Sequence, residues 1–441
     1  MQYLELQEAI KRCRAKIAVV GLGHVGLPTS ALFAKAGFFV VGIDVKKELV
    51  KQVNLGNCPL PEPGLPELVK TLAKSGQLRA EMDTALAVKS ANVVIIVVNT
   101  PANGSVGADL TSFKEACEAV GKGLQRGTLV IVISTVPPKT TEELVVPILE
   151  KQSKLKVGYD FWVAYSPEQA TPTKILDEMQ SQNRIVAGIN SESTDLAEAL
   201  FRKIVNGKIV KINQPAVAEL AKILQNIYRD VNIALANEVA LICDKLGIDT
   251  HEAIELANLH PRVHFHKPGA GVGGPCLPKD PLFLIENAKE VGFEPRLIEL
   301  ARQINNEMPS QVIRLTLEAF SQAKKSIAEA KIAVLGVTYK GNVNNVVASP
   351  AKPIIQELLK LGTKVFVHDP YCKETFGGKR VETIEDALID ADGAIIVTDH
   401  SVYEQLDIDY LTGFMKNYTI IIDARGILKA ISKPNLILKR I

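Results

Sequence analysis

The sequence predicts an α/β fold class: two doubly wound domains, each a parallel sheet with helices on both faces, joined by a long central helix and a helical connector. Three observations carry that prediction. Short apolar runs alternate with helical stretches at both ends of the chain. A glycine-rich turn directly follows the first run. One uninterrupted helical pattern of about thirty residues separates the two alternating regions.

The first region opens with the β run Lys16 to Gly21, then a turn and a helix from about His24 to Gly37. Phe38 to Asp44, Asn92 to Asn99 and Leu129 to Thr135 give further strands, and Phe161 to Pro167 and Arg184 to Ile189 complete the sheet. Continuous apolar runs of this kind suit strands buried on both faces. From Ala216 to Leu246 apolar residues recur at helical spacing with no Gly or Pro inside, and Gly247 follows as a C-cap. A helix of that length crosses between domains or pairs with its own copy. Thr250 to Leu259, Pro281 to Gly292 and Arg296 to Glu318 are expected helices. The second region has strands at Ile332 to Val337, Lys364 to His368, Ala394 to Thr398 and Thr419 to Asp423, with a helix from Pro350 to Leu361. The expected domains are 1–205, 206–320 and 321–441.

Bulk properties narrow the function. A chain of 441 residues is too long for one ordinary core. With 51 basic and 49 acidic residues the net charge is +2, and no block of like charges asks for nucleic acid or an anionic membrane. No apolar run reaches the roughly 18–20 residues that span a bilayer. Met1 to Arg14 has no secretory apolar region. Six cysteines are scattered without CxxC or metal-ligand spacing, which fits a reduced, cytoplasmic setting.

Gly21-Leu22-Gly23-His24-Val25-Gly26 has the spacing GxGxxG between a strand and a helix. The first glycine permits the turn, the second lets backbone approach a pyrophosphate, and the third lets helix pack on strand. His24 and Val25 would present their amides at the helix start. Asp44 ends the next strand, 23 residues after Gly21, where a carboxylate accepts from a ribose 2′-hydroxyl and repels a 2′-phosphate. The cofactor expected on this Rossmann-like domain is NAD. The second sheet domain has Gly336 after its first strand but lacks the other two glycines, so a dinucleotide is not expected there and a UDP-like half-ligand stays open.

The stretch Gly269 to Pro281 is too rich in glycine and proline for regular structure and predicts a tight loop that approaches a ligand, with Gly273 inside it. Cys276 lies in this loop, followed by Lys279 and Asp280. A nearby cation favours the thiolate, and the carboxylate could activate a water. Arg262 and His266, just ahead of the loop, are candidates for a phosphate or a sugar hydroxyl. His260, His264 and His266 are a poor ligand set without a nearby acid or cysteine, and no metal is expected.

Taken together, the chain resembles the UDP-glucose/GDP-mannose dehydrogenase family over nearly its full length. The resemblance rests on Gly21 to Pro28, Glu62-Pro63-Gly64-Leu65, Asn99-Thr100-Pro101, Ser134-Thr135-Val136-Pro137 and Ser166-Pro167-Glu168. It continues through Glu219, Lys222 and Asn226 on the long helix, the cysteine loop, Asp369-Pro370 and Asp423-Ala424-Arg425-Gly426. Tyr228 to Glu238 and His260 to Val263 look closest to the branch that oxidises UDP-N-acetylmannosamine.

The resemblance implies a UDP-sugar substrate, an NAD-dependent four-electron oxidation of its C6 alcohol, and a homodimer built on the long helix. It implies Cys276 as covalent nucleophile, Lys222 and Asn226 as donors to the developing oxyanion, and Glu168, Lys222 or Asp280 as base. Thr100, Thr135 and Lys279 are implied cofactor contacts, and Lys340 a contact of the nucleotide diphosphate. The chain departs from the family where an Asp-x-Arg-x-Ser-Pro signature is usual: Asn345 replaces the acid and Val347 the arginine. Gln169, Pro275 and Thr171-Pro172 replace the branch's usual Arg, His and Pro-Gly. UDP-N-acetylglucosamine, UDP-glucose and GDP-mannose stay open as alternative substrates, and two competing readings follow. One is a weakened, nucleotide-sugar-binding paralogue. The other is a two-electron hydroxyacid-type dehydrogenase, which has no use for Cys276 or a third domain.

Overall fold

The computed structural model describes residues 2–101, 107–171, 173–429, 431 and 433–441. They form two compact units. One runs up to Leu224 and includes Leu282–Glu290; the other comprises Gln225–Pro281 and Val291–Ile441. The segment 206–320, expected as a connector of its own, is thus shared between them.

The first unit is built on eight strands: β1 (Lys16–Val20), β2 (Phe39–Ile43), β3 (Leu78–Glu81), β4 (Val93–Ile96), β5 (Thr128–Val132), β6 (Phe161–Tyr165), β7 (Arg184–Gly188) and β8 (Ile209–Ile212). Their order is β3-β2-β1-β4-β5-β6-β7-β8. All pairs are parallel except β6 with β7. Val20 at the end of β1 is in register with Ile43 and with Ile96, so Gly21 leaves the sheet where the strand order reverses. Side chains alternate between faces: Ile17 and Val19 join the core on one side, Ala18 and Val20 the core on the other.

Two of these strands, β3 and β8, were not expected. Each has four residues, and polar side chains reach solvent from both, so neither shows the unbroken apolar run of a central strand. The expectation of a wholly parallel sheet is corrected at β7, which also turns back against β6. The helix after the glycine turn is Gly26–Lys35, shorter than expected, and leaves His24 and Val25 in the turn.

The second unit repeats the plan with six parallel strands: β9 (Lys331–Leu335), β10 (Lys364–His368), β11 (Lys379–Arg380), β12 (Gly393–Ile396), β13 (Thr419–Asp423) and β14 (Leu436–Arg440), in the order β11-β10-β9-β12-β13-β14. Leu335 is in register with His368 and Ile396, which places Gly336 at the corresponding reversal point. The short strands β11 and β14 were not expected.

The long helix spans Pro215–Leu246, 32 residues, and Gly247 follows with φ of 71°. It buries a polar row among apolar neighbours and exposes a second apolar row. Glu219, Asn226, Asp230 and Asn237 are buried. On the opposite side, Leu224, Tyr228, Leu235, Ile242 and Leu246 are exposed. At about 100° per residue the two rows lie on opposite faces. Such a helix is unlike a surface helix, which turns its apolar stripe to the core. No described helix is long and apolar enough to cross a membrane.

Candidate active site

In the first unit the glycine turn can be read atom by atom. A Cβ on Gly21 would lie 2.3 Å from the Val97 carbonyl oxygen, and one on Gly26 would lie 1.8 Å from the Gly21 oxygen. Gly21 also has φ of 99°. Both glycines are demanded by the protein itself. Gly23 differs: its φ is ordinary, and nothing stands within 4 Å of the place its Cβ would occupy. The space above Gly23 is open to a ligand, and a glycine there lets a pyrophosphate approach the backbone.

Asp44 follows β2 and is half-buried. Its carboxylate accepts from the Leu22 N–H (3.0 Å) and the Lys46 N–H (2.9 Å). Two oxygens offer about four lone-pair directions, so Asp44 is oriented over the turn with capacity left for ribose hydroxyls. The residues present fit a dinucleotide. Nearby, Thr100 Oγ1 donates to the Thr135 carbonyl (2.6 Å) and Ser134 Oγ to the Val98 carbonyl (2.7 Å). These bonds stitch together the segments that leave β4 and β5.

Glu219, on the first turns of the long helix, supports the segment after Thr135. Its Oε1 accepts from both the N–H (2.8 Å) and Oγ1 (2.6 Å) of Thr141. Burial pushes its carboxyl up to about 7, against the pull of those two bonds. Thr141 begins a short π-helical stretch, Thr141–Val145, an irregularity that recurs at functional sites. Lys222 is half-buried one turn further along the helix.

Glu168, a candidate base, is fully engaged. Arg184 Nη1 donates to it at 2.5 Å, and the amides of Gln169 and Ala170 each donate at 2.8 Å. Burial would raise its carboxyl, but Arg184 and these amides hold it below the usual range. Arg184 is in turn fixed by Ser166 and by the Phe201 ring, 4.4 Å from its guanidinium carbon. A carboxylate so stabilised is a weak base. Arg184 was missed by sequence reading because it belongs to a different strand, 16 residues away. Pro172 lies outside the described residues.

In the second unit Cys276 is an exposed thiol outside any disulfide. Its carbonyl accepts from the N–H groups of Lys279 (3.0 Å) and Asp280 (2.8 Å), which coils the chain into the helix Asp280–Glu290. Asp280 is completely buried; Asn226 Nδ2 donates to its Oδ2 at 2.5 Å, and Lys279 Nζ stands 3.5 Å from its Oδ1. Asn226, Lys279, Asp280 and the Cys276 backbone are thus one assembly. Gly273 and Gly274 pass under Tyr339: a Cβ on either would come within 2.8 Å of its side chain. Gly274 N–H donates to the Val347 carbonyl (2.8 Å). Burial raises the Tyr339 hydroxyl, and the neighbouring Cys276 adds to the effect.

The substituted segment therefore borders the cysteine loop directly. Asn345 Oδ1 accepts from the Val347 N–H at 2.9 Å, so the turn does not need an acid, and the Val347 side chain is half-exposed. Arg262 and Lys340 are exposed; His266 is half-buried, its ring nitrogens kept from protonation first by burial and then by Arg229. Among the described residues no three His, Cys, Asp or Glu side chains form a metal-binding group.

The glycine turn and Asp44 of the first unit define a dinucleotide-binding protein, and the second unit presents a thiol on its own loop. Comparison with known proteins makes this specific. Three domains of the UDP-glucose/GDP-mannose dehydrogenase family match in order: the NAD binding domain over residues 15–205, the central domain over 216–307 and the UDP binding domain over 333–430. The chain belongs to this family and is an NAD-dependent nucleotide-sugar dehydrogenase. It is 41% identical to a UDP-N-acetyl-D-mannosamine dehydrogenase of Pyrococcus horikoshii, over 94% of this chain and 96% of that one. A solved UDP-D-ManNAc dehydrogenase from Pyrococcus horikoshii superposes with a TM-score of 0.88 at 39% identity, covering 96% of this chain and 98% of the other. The UDP-N-acetyl-mannosamine dehydrogenase of Staphylococcus aureus gives 0.84 at 34% identity, with 97% and 98% covered.

Two predictions follow from this geometry. Gly23→Ala is expected to leave the melting temperature within a degree or two (about 0.5 kcal/mol or less) while NAD⁺ affinity, measured by calorimetry, falls at least about tenfold. Gly26→Ala is expected to unfold the first unit, because a backbone oxygen occupies the new atom's place. The second concerns Glu219. Its folded-state carboxyl holds a proton up to about 7, so between the ordinary Glu range and that value the native state binds more protons than the unfolded chain. Stability therefore falls as pH rises across that window, by roughly 2–3 kcal/mol for this one group. Glu219→Gln is expected to flatten this slope in denaturation curves taken from pH 5 to 8.

Proposed function

We propose that this protein oxidises UDP-N-acetyl-D-mannosamine at C6 to the corresponding uronate, working in the cytoplasm as a homodimer. The observation that carries the reading is Cys276, an exposed thiol on a loop of fixed geometry immediately ahead of buried Asp280 and Asn226. The chain's likeness to dehydrogenases of that sugar nucleotide supports the substrate. Six cysteines outside any disulfide suit a reducing compartment. The row Leu224, Tyr228, Leu235, Ile242 and Leu246 suits burial against a second copy of the helix.

NAD⁺, when bound over Gly23 and beside Asp44, supplies the hydride acceptor for both oxidations. Lys222 and Asn226, one helical turn apart, donate to the oxygen that gathers charge at C6. Glu168 is committed to its ion pair with Arg184 and to two amides, which hold its carboxyl below the usual range against the effect of burial; we therefore assign the base role to Lys222 or Asp280. The alcohol is first oxidised to an aldehyde. Cys276 thiolate adds to the aldehyde carbon, forming a C–S bond while the carbonyl oxygen takes a proton. Loss of a second hydride converts this thiohemiacetal to a thioester. Water adds to the thioester carbon, the C–S bond breaks, and thiol and carboxylate are released. Asp280, held by Asn226 and Lys279, takes the water's proton in this reading. Lys340, Arg262 and His266 bind the diphosphate and sugar, and Thr100, Thr135 and Lys279 line the cofactor.

Val347 favours a second reading, a weakened binding paralogue, since a missing charge-assisted bond of about 1.5–3 kcal/mol costs ten- to a hundredfold in affinity. The two readings separate by stoichiometry. Purified protein with excess NAD⁺ is expected to form two NADH per UDP-N-acetyl-D-mannosamine consumed. No NADH from any of a panel of UDP-sugars, with NAD⁺ binding intact, would select the paralogue. Because the Val347 side chain is half-exposed, Val347→Arg is expected to fold normally and lower KM for the sugar nucleotide by about tenfold or more, read from initial rates.

A further inference from the structure

The cysteine loop needs a fixed starting point, because glycines at 269, 271, 273 and 274 leave its backbone with little intrinsic preference. That point is Gly269. Its N–H donates to Asn237 Oδ1 at 2.8 Å in a buried setting. Asn237 is itself fixed: its Nδ2 donates to Asn305 Oδ1 at 2.8 Å, and Asn305 Nδ2 donates to the Asp230 carbonyl and to Asp230 Oδ1, both at 2.9 Å. Arg302 Nη1 closes the chain on Asp230 Oδ1 at 2.5 Å. Asp230, Asn237, Asn305 and Arg302 are all buried.

This chain of bonds decides which way the Asn237 carboxamide points. Asp230 accepts only, so Asn305 must turn its NH₂ toward it and its oxygen toward Asn237. Asn237 must then turn its own NH₂ to Asn305, which leaves its oxygen for Gly269. The same Asn305 meets the loop a second time. Pro309 sits inside the helix Arg296–Gln322 and has no N–H to give the Asn305 carbonyl, its partner four residues back. Gly271, with φ of 129°, passes over that carbonyl, and a Cβ there would stand 3.2 Å from its oxygen.

We infer that Asn237, oriented by Asn305 and Asp230, is a positioning residue that sets the Cys276 loop in register for capture of the aldehyde. The inference rests on Cys276 being the nucleophile. A residue with this role acts on commitment rather than on cofactor binding. When the loop start is released, the thiolate meets the aldehyde less often and free aldehyde escapes before the second oxidation.

The test is Asn237→Ala assayed beside Cys276→Ser and wild type, with semicarbazide present to trap released aldehyde. Asn237→Ala is expected to lower uronate formation by about ten- to a hundredfold. KM for NAD⁺ should stay within about twofold, and trapped aldehyde should rise from background to a major product. Asn237→Asp keeps an acceptor for Gly269 but sets an oxygen against Asn305 Oδ1, so it is expected to capture more aldehyde than Asn237→Ala and less than wild type. If Asn237→Ala loses activity only in proportion to its unfolded fraction, with aldehyde at background, the positioning role is wrong. Cys276→Ser separates the two claims: uronate formed at the wild-type rate by that variant would remove the nucleophile itself. Should the alanine chain not fold, hydrogen exchange on wild type decides. The Gly269 amide is expected to be as protected as core helix amides, and exchange within seconds would overturn the anchor.

Discussion

Glu219, Asn226, Asp230 and Asn237 follow one another along a single side of the helix Pro215–Leu246, and all four are buried. A buried polar group left without a partner costs about 1–3 kcal/mol, so a helix that turns such a row inward must be met by matching donors and acceptors. Those partners sit on loops, at helix starts and, for Asp230, inside the helix Arg296–Gln322. Glu219 takes Thr141, Asn226 takes Asp280, Asn237 takes Gly269, and Asp230 takes Arg302 and Asn305. An apolar face would tolerate several packings of similar energy, whereas hydrogen bonds of defined direction select one. The row thereby fixes segments whose own sequences, rich in Gly, Pro and Thr, hold no preferred shape.

The polar row does not stand alone on the buried side: Ile223, Ile227, Ala234 and Ala240 flank it and are buried with it. Leu224, Tyr228, Leu235, Ile242 and Leu246 on the opposite side are left for another surface to cover.

How much of this was legible in the sequence depends on how local each feature is. Central strands, the long helix and the glycine turn could be read because their signals are short-range: apolar runs, a 3.6-residue period, and glycines at fixed offsets beside Asp44. The cysteine loop could be read for the same reason. The edge strands β3, β8 and β11 could not, since two to four residues with polar neighbours carry no period. The positioning residues were hidden by distance along the chain: Asn237 meets Asn305 across 68 residues and Gly269 across 32. A signal did exist, in polar residues at 219, 226, 230 and 237 repeating at helical spacing, but the same pattern on an ordinary helix describes a solvated face. Only burial distinguishes the two.

The two sheets show how one fold position can serve two ends. In each, an aspartate follows the second strand and reaches back to the turn after the first: Asp44 to Leu22, and Asp369 to Val337 and Thr338. Asp44 is half-buried and accepts from two amides, which leaves oxygen lone pairs facing the open space above Gly23. Asp369 is buried and accepts besides from His400 Nε2 (3.0 Å) and the amides of Tyr371 and Cys372 (both 2.9 Å). Although burial works against its ionisation, those donors hold its carboxyl below the usual range. His400 is fully buried and its ring stacks on that of Tyr371. A carboxylate whose lone pairs are already taken has nothing to offer a hydroxyl pair. On the second sheet the aspartate thus serves the protein itself, tying the turn after the first strand to His400 and to the amides of Tyr371 and Cys372.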